Sequence, residues 1–167
     1  MEAPWPAFDR SGGLAQQGRA GGEAVPTLNV FLDSTALAKR YVQESGSDRV
    51  EEILSSASSL GVSVICLSEV ISALCRRRRE KKLSKQQYLK AKQAIFADIE
   101  DTSVINLTDQ VIARAVELLE RWPLRSSDSL HIACAAEWSA DLLVSADEKQ
   151  CAAARSYGLQ VEQLPVG

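Results

Sequence analysis

The stretch from Leu28 to Thr35 joins a short apolar run directly to an acidic residue and two hydroxyl residues. An apolar run of this length, rich in β-branched and aromatic side chains, is typical of a buried strand in a parallel sheet. The residues at 36–41 favour a helix, and Ser34 or Thr35 can cap it. Asp33 would then lie at the carboxyl end of a central strand, which is the edge where open α/β sheets bind ligands.

Apolar runs and segments of helical periodicity alternate along the rest of the chain. Gly61 is predicted to end the helix that precedes the second strand. The alternation predicts one α/β/α sandwich domain, with a central parallel sheet of about five strands and helices on both faces. The further strands are predicted at 62–66, 104–107, 141–144 and 159–162, and the helix starts at Ser47, Ser68, Ser84, Thr108 and Ser126 or Ser127.

Residues 1–26 contain most of the glycine and proline of the chain and show no hydrophobic periodicity. Such a composition cannot bury a core, so we expect a disordered extension over this range. Residues 27–167 are predicted to form the domain. A chain of 167 residues is long enough for one domain with a sizeable core and too short for two comfortable ones.

The net charge of −3 and the pI near 5.3 provide no global positive field that would attract nucleic acid. Binding of a polyanion would therefore need a local basic patch. No apolar run approaches the roughly 20 residues of a membrane span, and the N-terminus lacks the apolar segment of a signal peptide. Four cysteines without paired spacing indicate free thiols in a reducing compartment, so we expect a cytoplasmic protein.

Four carboxylates occupy positions that this layout brings to one edge of the sheet. Asp33 follows the first strand, Glu69 opens the helix after the second, Asp128 opens an alanine-rich helix, and Asp147 follows the fourth strand. An acid at a helix start has a structural explanation, because the helix dipole favours negative charge there. Nothing structural demands an acid directly after a buried strand. Four acids at one edge would repel each other unless a cation lay among them, and Mg²⁺ takes oxygen ligands of this kind.

Four segments of the chain resemble, in order, the motifs of the PIN-domain nucleases. Their order, their spacing and the size of the domain are most similar to the VapC-type toxins of type II toxin–antitoxin systems. The resemblance extends from Leu28 to about Leu164, and Ser145 stands where threonine is commoner in the family. The four segments are Phe31–Leu37, Leu67–Leu74, Ser127–Ala133 and Val144–Asp147.

The resemblance implies a metal-dependent endoribonuclease that uses Mg²⁺, with Mn²⁺ as a substitute, to activate water against an RNA phosphodiester bond. Its implied partners are an RNA substrate, a cognate antitoxin that covers the acidic residues, and a second copy of the chain in a homodimer. Two serines adjacent to the acids, Ser34 and Ser145, are candidates for hydrogen-bond donors to them or for simple helix caps. The implied catalytic residues and metal ligands are Asp33, Glu69, Asp128 and Asp147.

A basic run from Arg76 to Lys82 contains six positive residues and one negative residue. Such a run is often a solvated helix end, where cations also suit the helix dipole. It is equally the one obvious phosphate-contacting surface in an acidic chain. Both interpretations stay open from sequence alone. The candidates for RNA contact are Arg76, Arg77, Arg78 and Arg79.

Other classes of function remain as alternatives. A PIN-like module could bind RNA or protein without catalysis, because an intact site does not prove turnover. A haloacid-dehalogenase-like phosphatase also begins with an aspartate after a strand, but it would need a second aspartate where Thr35 stands. Ser127, Asp128 and His131, the single histidine, contain the ingredients of a hydrolase triad. No strained nucleophile turn precedes them, so His131 is predicted to be a packed histidine or one at the sheet edge.

Overall fold

The computed structural model describes residues 28–166, within which five short strands alternate with seven helices. The predicted extension over residues 1–26 lies outside the described residues. The strands are β1 (Asn29–Leu32), β2 (Ser59–Ser63), β3 (Ser103–Ile105), β4 (Leu142–Ser145) and β5 (Val161–Gln163). The helices are α1 (Ser34–Tyr41), α2 (Ser47–Ser56), α3 (Cys66–Arg79), α4 (Lys85–Glu100), α5 (Asp109–Arg121), α6 (Ser126–Glu137) and α7 (Glu148–Tyr157).

All five strands run parallel in a single sheet with the order β3-β2-β1-β4-β5. The chain builds outward from β1 to β2 and β3 on one side, and then returns to place β4 and β5 on the other. The order therefore reverses between β1 and β4, where the carboxyl ends of the strands leave a crevice for ligands. The main-chain amide of Asp33 donates to the carbonyl of Val144 at 3.2 Å, which keeps the two strand ends together.

The two faces of the sheet carry separate hydrophobic cores. Val30 and Leu32 of β1 point to the core formed with α1, α2, α3 and α4, whereas Phe31 points to the core formed with α5, α6 and α7. All three side chains are completely buried. Successive side chains of a strand point to opposite faces, so one uninterrupted apolar run supplies both cores. The predicted α/β/α sandwich is confirmed. Among residues 28–166, every helix is too short or too polar to span a lipid bilayer.

The prediction for the second strand was wrong at both ends. β2 begins at Ser59 and ends at Ser63, and Cys66 is the first residue of α3 rather than the last of the strand. Gly61 lies inside the strand. A Cβ on Gly61 would lie 2.6 Å from the ring of Trp138, so glycine is required for the indole to pack against the sheet.

The helix caps agree with prediction in part. Ser84 and Thr108 cap α4 and α5 with their side chains, as predicted. The cap of α1 is Asp33 itself, whose side chain accepts from the amide of Ala36, and not one of the hydroxyl residues that follow it. Ser68 does not cap α3 but lies inside it. A strand that ends in a capping aspartate places that carboxylate between sheet and helix with almost no freedom to move.

Candidate active site

Asp33 is completely buried at the end of β1, and its carboxylate is surrounded by donors. The hydroxyl of Ser145 donates to Oδ2 at 2.6 Å, the hydroxyl of Thr35 lies 2.8 Å from Oδ1, and the amide of Ala36 donates to Oδ1 at 2.8 Å. Burial raises the pKa of Asp33, although positive charge on His131 and these hydrogen bonds oppose the rise. Several hydrogen-bond donors therefore hold the Asp33 carboxylate in one position.

Two hydroxyl groups connect Asp33 to the end of β4. Thr35 Oγ1 accepts from the amide of Ala146 at 2.9 Å, and Ser145 Oγ accepts from the amide of Asp147 at 3.0 Å. Each hydroxyl thus donates to Asp33 and accepts from the β4–α7 connection. This cross-link fixes the position of Asp147 relative to Asp33. From the sequence, Thr35 was expected only to cap a helix or to stand where a phosphatase would need an aspartate.

Glu69 lies on α3 and keeps 30% of its side chain exposed. Its Oε2 atom lies 2.6 Å from Nε2 of His131 on α6, and Ser34 and Ser127 also hydrogen-bond to the carboxylate. Burial by itself raises the pKa of Glu69. The hydrogen bond and charge of His131, together with the two serines, outweigh this effect and hold that pKa below its usual range. Glu69 is therefore ionised and held between α1, α3 and α6.

Asp128 lies in the first turn of α6 and is half-buried. Its Oδ2 atom accepts from the amide of Arg125 at 3.2 Å. Burial raises the pKa of Asp128, and the negative charge of Asp147 raises it further, against the effect of the Arg125 amide. Asp128 and Asp147 are therefore close enough to repel each other. Asp147 in turn accepts from the amide of Gln150 at 2.8 Å and caps α7.

His131 lies among the acids with only 1% of its surface exposed. Its positive form would lower the pKa of Asp33, Glu69 and Asp128, which shows that it is near all three. Its Nδ1 atom is buried without a hydrogen-bond partner among residues 28–166. The prediction of a histidine that is packed or lies at the sheet edge is confirmed, but it did not include the contact with Glu69. The available signal was its spacing of three residues from Asp128, which puts both side chains on one face of α6.

The structure thus brings the four predicted acids to the carboxyl ends of β1 and β4, where they form what we call the acidic edge. A cavity of about 400 Å³ opens beside it, with Glu69 and Asp147 in its wall. Asp33 is buried behind that wall. The other charged residues that line the cavity come from α1, the α1–α2 loop and α3: Lys39, Glu44, Arg76 and Arg77.

The donors of the acidic edge fit a hydrated divalent ion better than an ion enclosed by protein. Carboxylate and hydroxyl oxygens are hard ligands, and a cation would relieve the repulsion between Asp128 and Asp147. No three Asp, Glu, His or Cys side chains within the described range are arranged so that they could hold an ion together. Mg²⁺ commonly binds through one or two carboxylates and keeps several waters, so this arrangement suits it.

Comparison with known proteins gives a family match over most of the chain. The family model for the PIN domain matches residues 30–156, a range that contains all four acids. No significant match to a curated protein was found.

Solved structures of toxins and toxin–antitoxin complexes share the fold. VapC20 from Mycobacterium tuberculosis, described as a Sarcin-Ricin loop cleaving toxin, aligns with a TM-score of 0.59 and 17% identity, covering 78% of this chain and 95% of that one. VapBC2 from Rickettsia felis, bound to a promoter DNA fragment, aligns with a TM-score of 0.60 and 15% identity, covering 81% and 98%. DNA-bound VapBC from Salmonella typhimurium aligns with a TM-score of 0.60 and 17% identity, covering 82% and 98%.

Proposed function

The chain belongs to the PIN domain family, and from this premise we propose that it is a metal-dependent endoribonuclease. The observation that supports the proposal most strongly is the acidic edge itself. Four acids from four separate elements meet at the point where the strand order reverses, and two of them repel each other. Charge of one sign is costly to accumulate in a fold, so its accumulation beside a cavity indicates a cation-dependent function.

The proposed roles of the residues follow from their surroundings. Asp33, Glu69, Asp128 and Asp147 would bind Mg²⁺, or Mn²⁺ in its place, one or two of them directly and the others through its water molecules. A divalent ion at such a site supplies an activated water and neutralises the scissile phosphate. Ser145 and Thr35 orient Asp33 by hydrogen bonds.

The residues around Glu69 have a positioning role in this proposal. His131, Ser34 and Ser127 hydrogen-bond to the Glu69 carboxylate and keep it ionised at the wall of the cavity. No side chain of the site needs to act as a nucleophile, because the attacking group is water.

The similar solved structures suggest a biological setting for this activity. VapC20 is described as a Sarcin-Ricin loop cleaving toxin, and the VapBC structures are bound to DNA. By analogy we propose that this chain is the cytoplasmic toxin of a toxin–antitoxin pair, with an RNA substrate, a cognate antitoxin and a homodimeric state. A basic side chain of the antitoxin would neutralise the acidic edge in the way that a cation does.

Two observations favour a second function, a PIN-like module that binds RNA or protein without cleaving it. Glu69 is engaged by His131, and residues 28–166 contain no ready set of three metal ligands. The phosphatase alternative has no such support. The residue at the position where that class needs an aspartate is Thr35, whose hydroxyl donates to Asp33.

An RNA cleavage assay separates the two functions. The full chain should cleave RNA with Mg²⁺ or Mn²⁺ and lose this activity with EDTA. Asp147→Asn should abolish cleavage, since Asp147 lies in the cavity wall. Asp109→Asn is a matched control, because Asp109 is an exposed acid in the first turn of α5 that does not line the cavity. Binding without metal-dependent cleavage would favour the module. Equal cleavage by Asp147→Asn and Asp109→Asn would show that the acidic edge is not the cleavage site.

A further inference from the structure

Two of the four consecutive arginines at the end of α3 have partners within the protein. Arg77 forms an ion pair with Glu44, which also pairs with the buried Lys39 at 3.0 Å. The guanidinium carbon of Arg78 lies 5.3 Å from the centre of the Tyr88 ring on α4. These contacts fasten the end of α3 to the α1–α2 loop and to α4. Both guanidinium groups therefore have a structural use.

The other two arginines, Arg76 and Arg79, are exposed, and their side chains make no hydrogen bond or ion pair with another residue of the described range. The charge of Arg76 contributes to the lowered pKa of the exposed Glu80, but less than neighbouring Lys82 does. Arg76 and Arg79 line an open groove of about 400 Å³ whose wall also includes Glu69. The groove therefore contains two arginines whose side chains have no partner in the described range, together with Glu69 of the acidic edge.

Helix geometry explains why this pair and not the other faces the groove. Arg76 and Arg79 follow Glu69 by seven and ten residues, so all three lie on the same side of a helix with 3.6 residues per turn. At about 1.5 Å per residue, Arg79 is about 15 Å along the axis from Glu69. Ala73 lies between them in the groove wall, and its small side chain leaves the surface open. The cations thus mark a track that leads away from the acidic edge.

We propose that Arg76 and Arg79 form a phosphate-binding track for single-stranded RNA, whereas Arg77 and Arg78 only hold α3 in place. The assignment rests on the proposed function, because a nuclease site of like-charged acids must attract a polyanion that those acids repel. With a net charge of −3, the chain can do this only through local cations. Guanidinium groups without a protein partner are well suited to phosphate oxygens.

The experiment measures RNA binding, so that it does not depend on cleavage. A fluorescein-labelled U₁₂ oligonucleotide is titrated with Asp147→Asn protein at several KCl concentrations, and the binding constant is obtained from fluorescence anisotropy. Arg76→Gln and Arg79→Gln should each reduce the slope of log K against log salt by about 0.7, and the double variant by about 1.4. Arg77 also lines the cavity beside the acidic edge, but its guanidinium is paired with Glu44. Arg77→Gln should therefore keep the slope and lower the melting temperature, as should the matched control Arg78→Gln.

Several results would overturn the track. An unchanged slope in the double variant would do so. A slope loss in Arg77→Gln equal to that in Arg76→Gln or Arg79→Gln would also do so. Salt-independent binding of U₁₂ by the parent Asp147→Asn protein would overturn it as well. A double variant that loses affinity for a labelled octaglutamate peptide but keeps its RNA slope would assign the pair to an acidic protein partner. If the variants show the expected slopes but the chain with Asp147 intact does not cleave RNA, the track would be confirmed and the proposed nuclease function would be refuted.

Discussion

Asp33 and Asp128 are both acids at the start of a helix on the same edge of the sheet, yet their surroundings differ sharply. Asp33 is completely buried and receives hydrogen bonds from two hydroxyls and an amide. Asp128 is half-buried, accepts from one amide and faces the like charge of Asp147. Burial raises the pKa of both carboxyls, but a neighbouring negative charge contributes to the rise only at Asp128.

The comparison separates two tasks within one site. Asp33 is part of the framework, because β1, α1 and the end of β4 are joined through its carboxylate. The Asp128–Asp147 pair contributes charge that the fold itself does not need. Loss of Asp33 should therefore cost stability, whereas loss of Asp128 should cost activity. Three substitutions test this difference, in decreasing order of their expected effect on folding.

Asp33→Ala should have the largest effect. The Ser145 hydroxyl and the Ala36 amide would each lose their acceptor in a buried site, at about 1–3 kcal/mol per unsatisfied group. The hydroxyl of Thr35, an exposed residue, can donate to water instead. Relief of the buried charge offsets part of this cost, so we expect a loss of about 3 kcal/mol in the free energy of unfolding. Urea denaturation without added metal measures it. A loss below about 1 kcal/mol would show that Asp33 is not part of the framework.

Ser145→Ala should have an intermediate effect. The substitution removes the donor to Asp33 and also the acceptor of the Asp147 amide. We expect a loss of about 1–2 kcal/mol, which corresponds to about 2–8 °C in melting temperature for a domain of this size. Ser145→Thr keeps the hydroxyl and is the matched control. If Ser145→Ala and Ser145→Thr had the same melting temperature, the hydroxyl would have no role in the framework.

Asp128→Asn should have the smallest effect on folding. Replacement of a favourable acid at a helix start costs a few tenths to about 1 kcal/mol, but here the repulsion from Asp147 disappears as well. Stability without metal should therefore be unchanged or slightly higher. The same urea titration measures it, and Asp109→Asn reports the ordinary cost at a helix start without a negative neighbour. A larger loss in Asp128→Asn than in Asp109→Asn would contradict the repulsion.

The sheet and its helical layers were predictable because they depend on local patterns. Alternating apolar runs and helix caps indicated the parallel sandwich, and Ser84 and Thr108 cap helices as their sequence context suggests. Gly61 was misread as a helix breaker. Glycine is needed at this position because the ring of Trp138, 77 residues later in the chain, packs against it. A local sequence pattern cannot reveal a contact over that distance in the chain.

The candidate site was predictable in its acids and not in its supporting groups. Strand ends and helix starts reveal Asp33, Glu69, Asp128 and Asp147, because parallel strands bring their carboxyl ends to one edge. The bond between His131 and Glu69 spans 62 residues, and Thr35 contacts Ala146 across 111. Arg77 and Arg78 differ from the other two arginines because they contact Glu44 and Tyr88. Both partners lie outside the arginine run, so the sequence of the run could not reveal this difference.

Thermal melting with and without metal tests the central claim, that the acidic edge binds a divalent ion, most directly. At a hundred times the dissociation constant, Mg²⁺ or Mn²⁺ should stabilise the wild-type chain by about 2.7 kcal/mol, a rise of roughly 5–10 °C. Asp128→Asn and Asp147→Asn should lose most of this rise while keeping their metal-free stability, and Asp109→Asn should retain it. Equal metal-induced rises in all four proteins, or none in the wild type, would contradict the account.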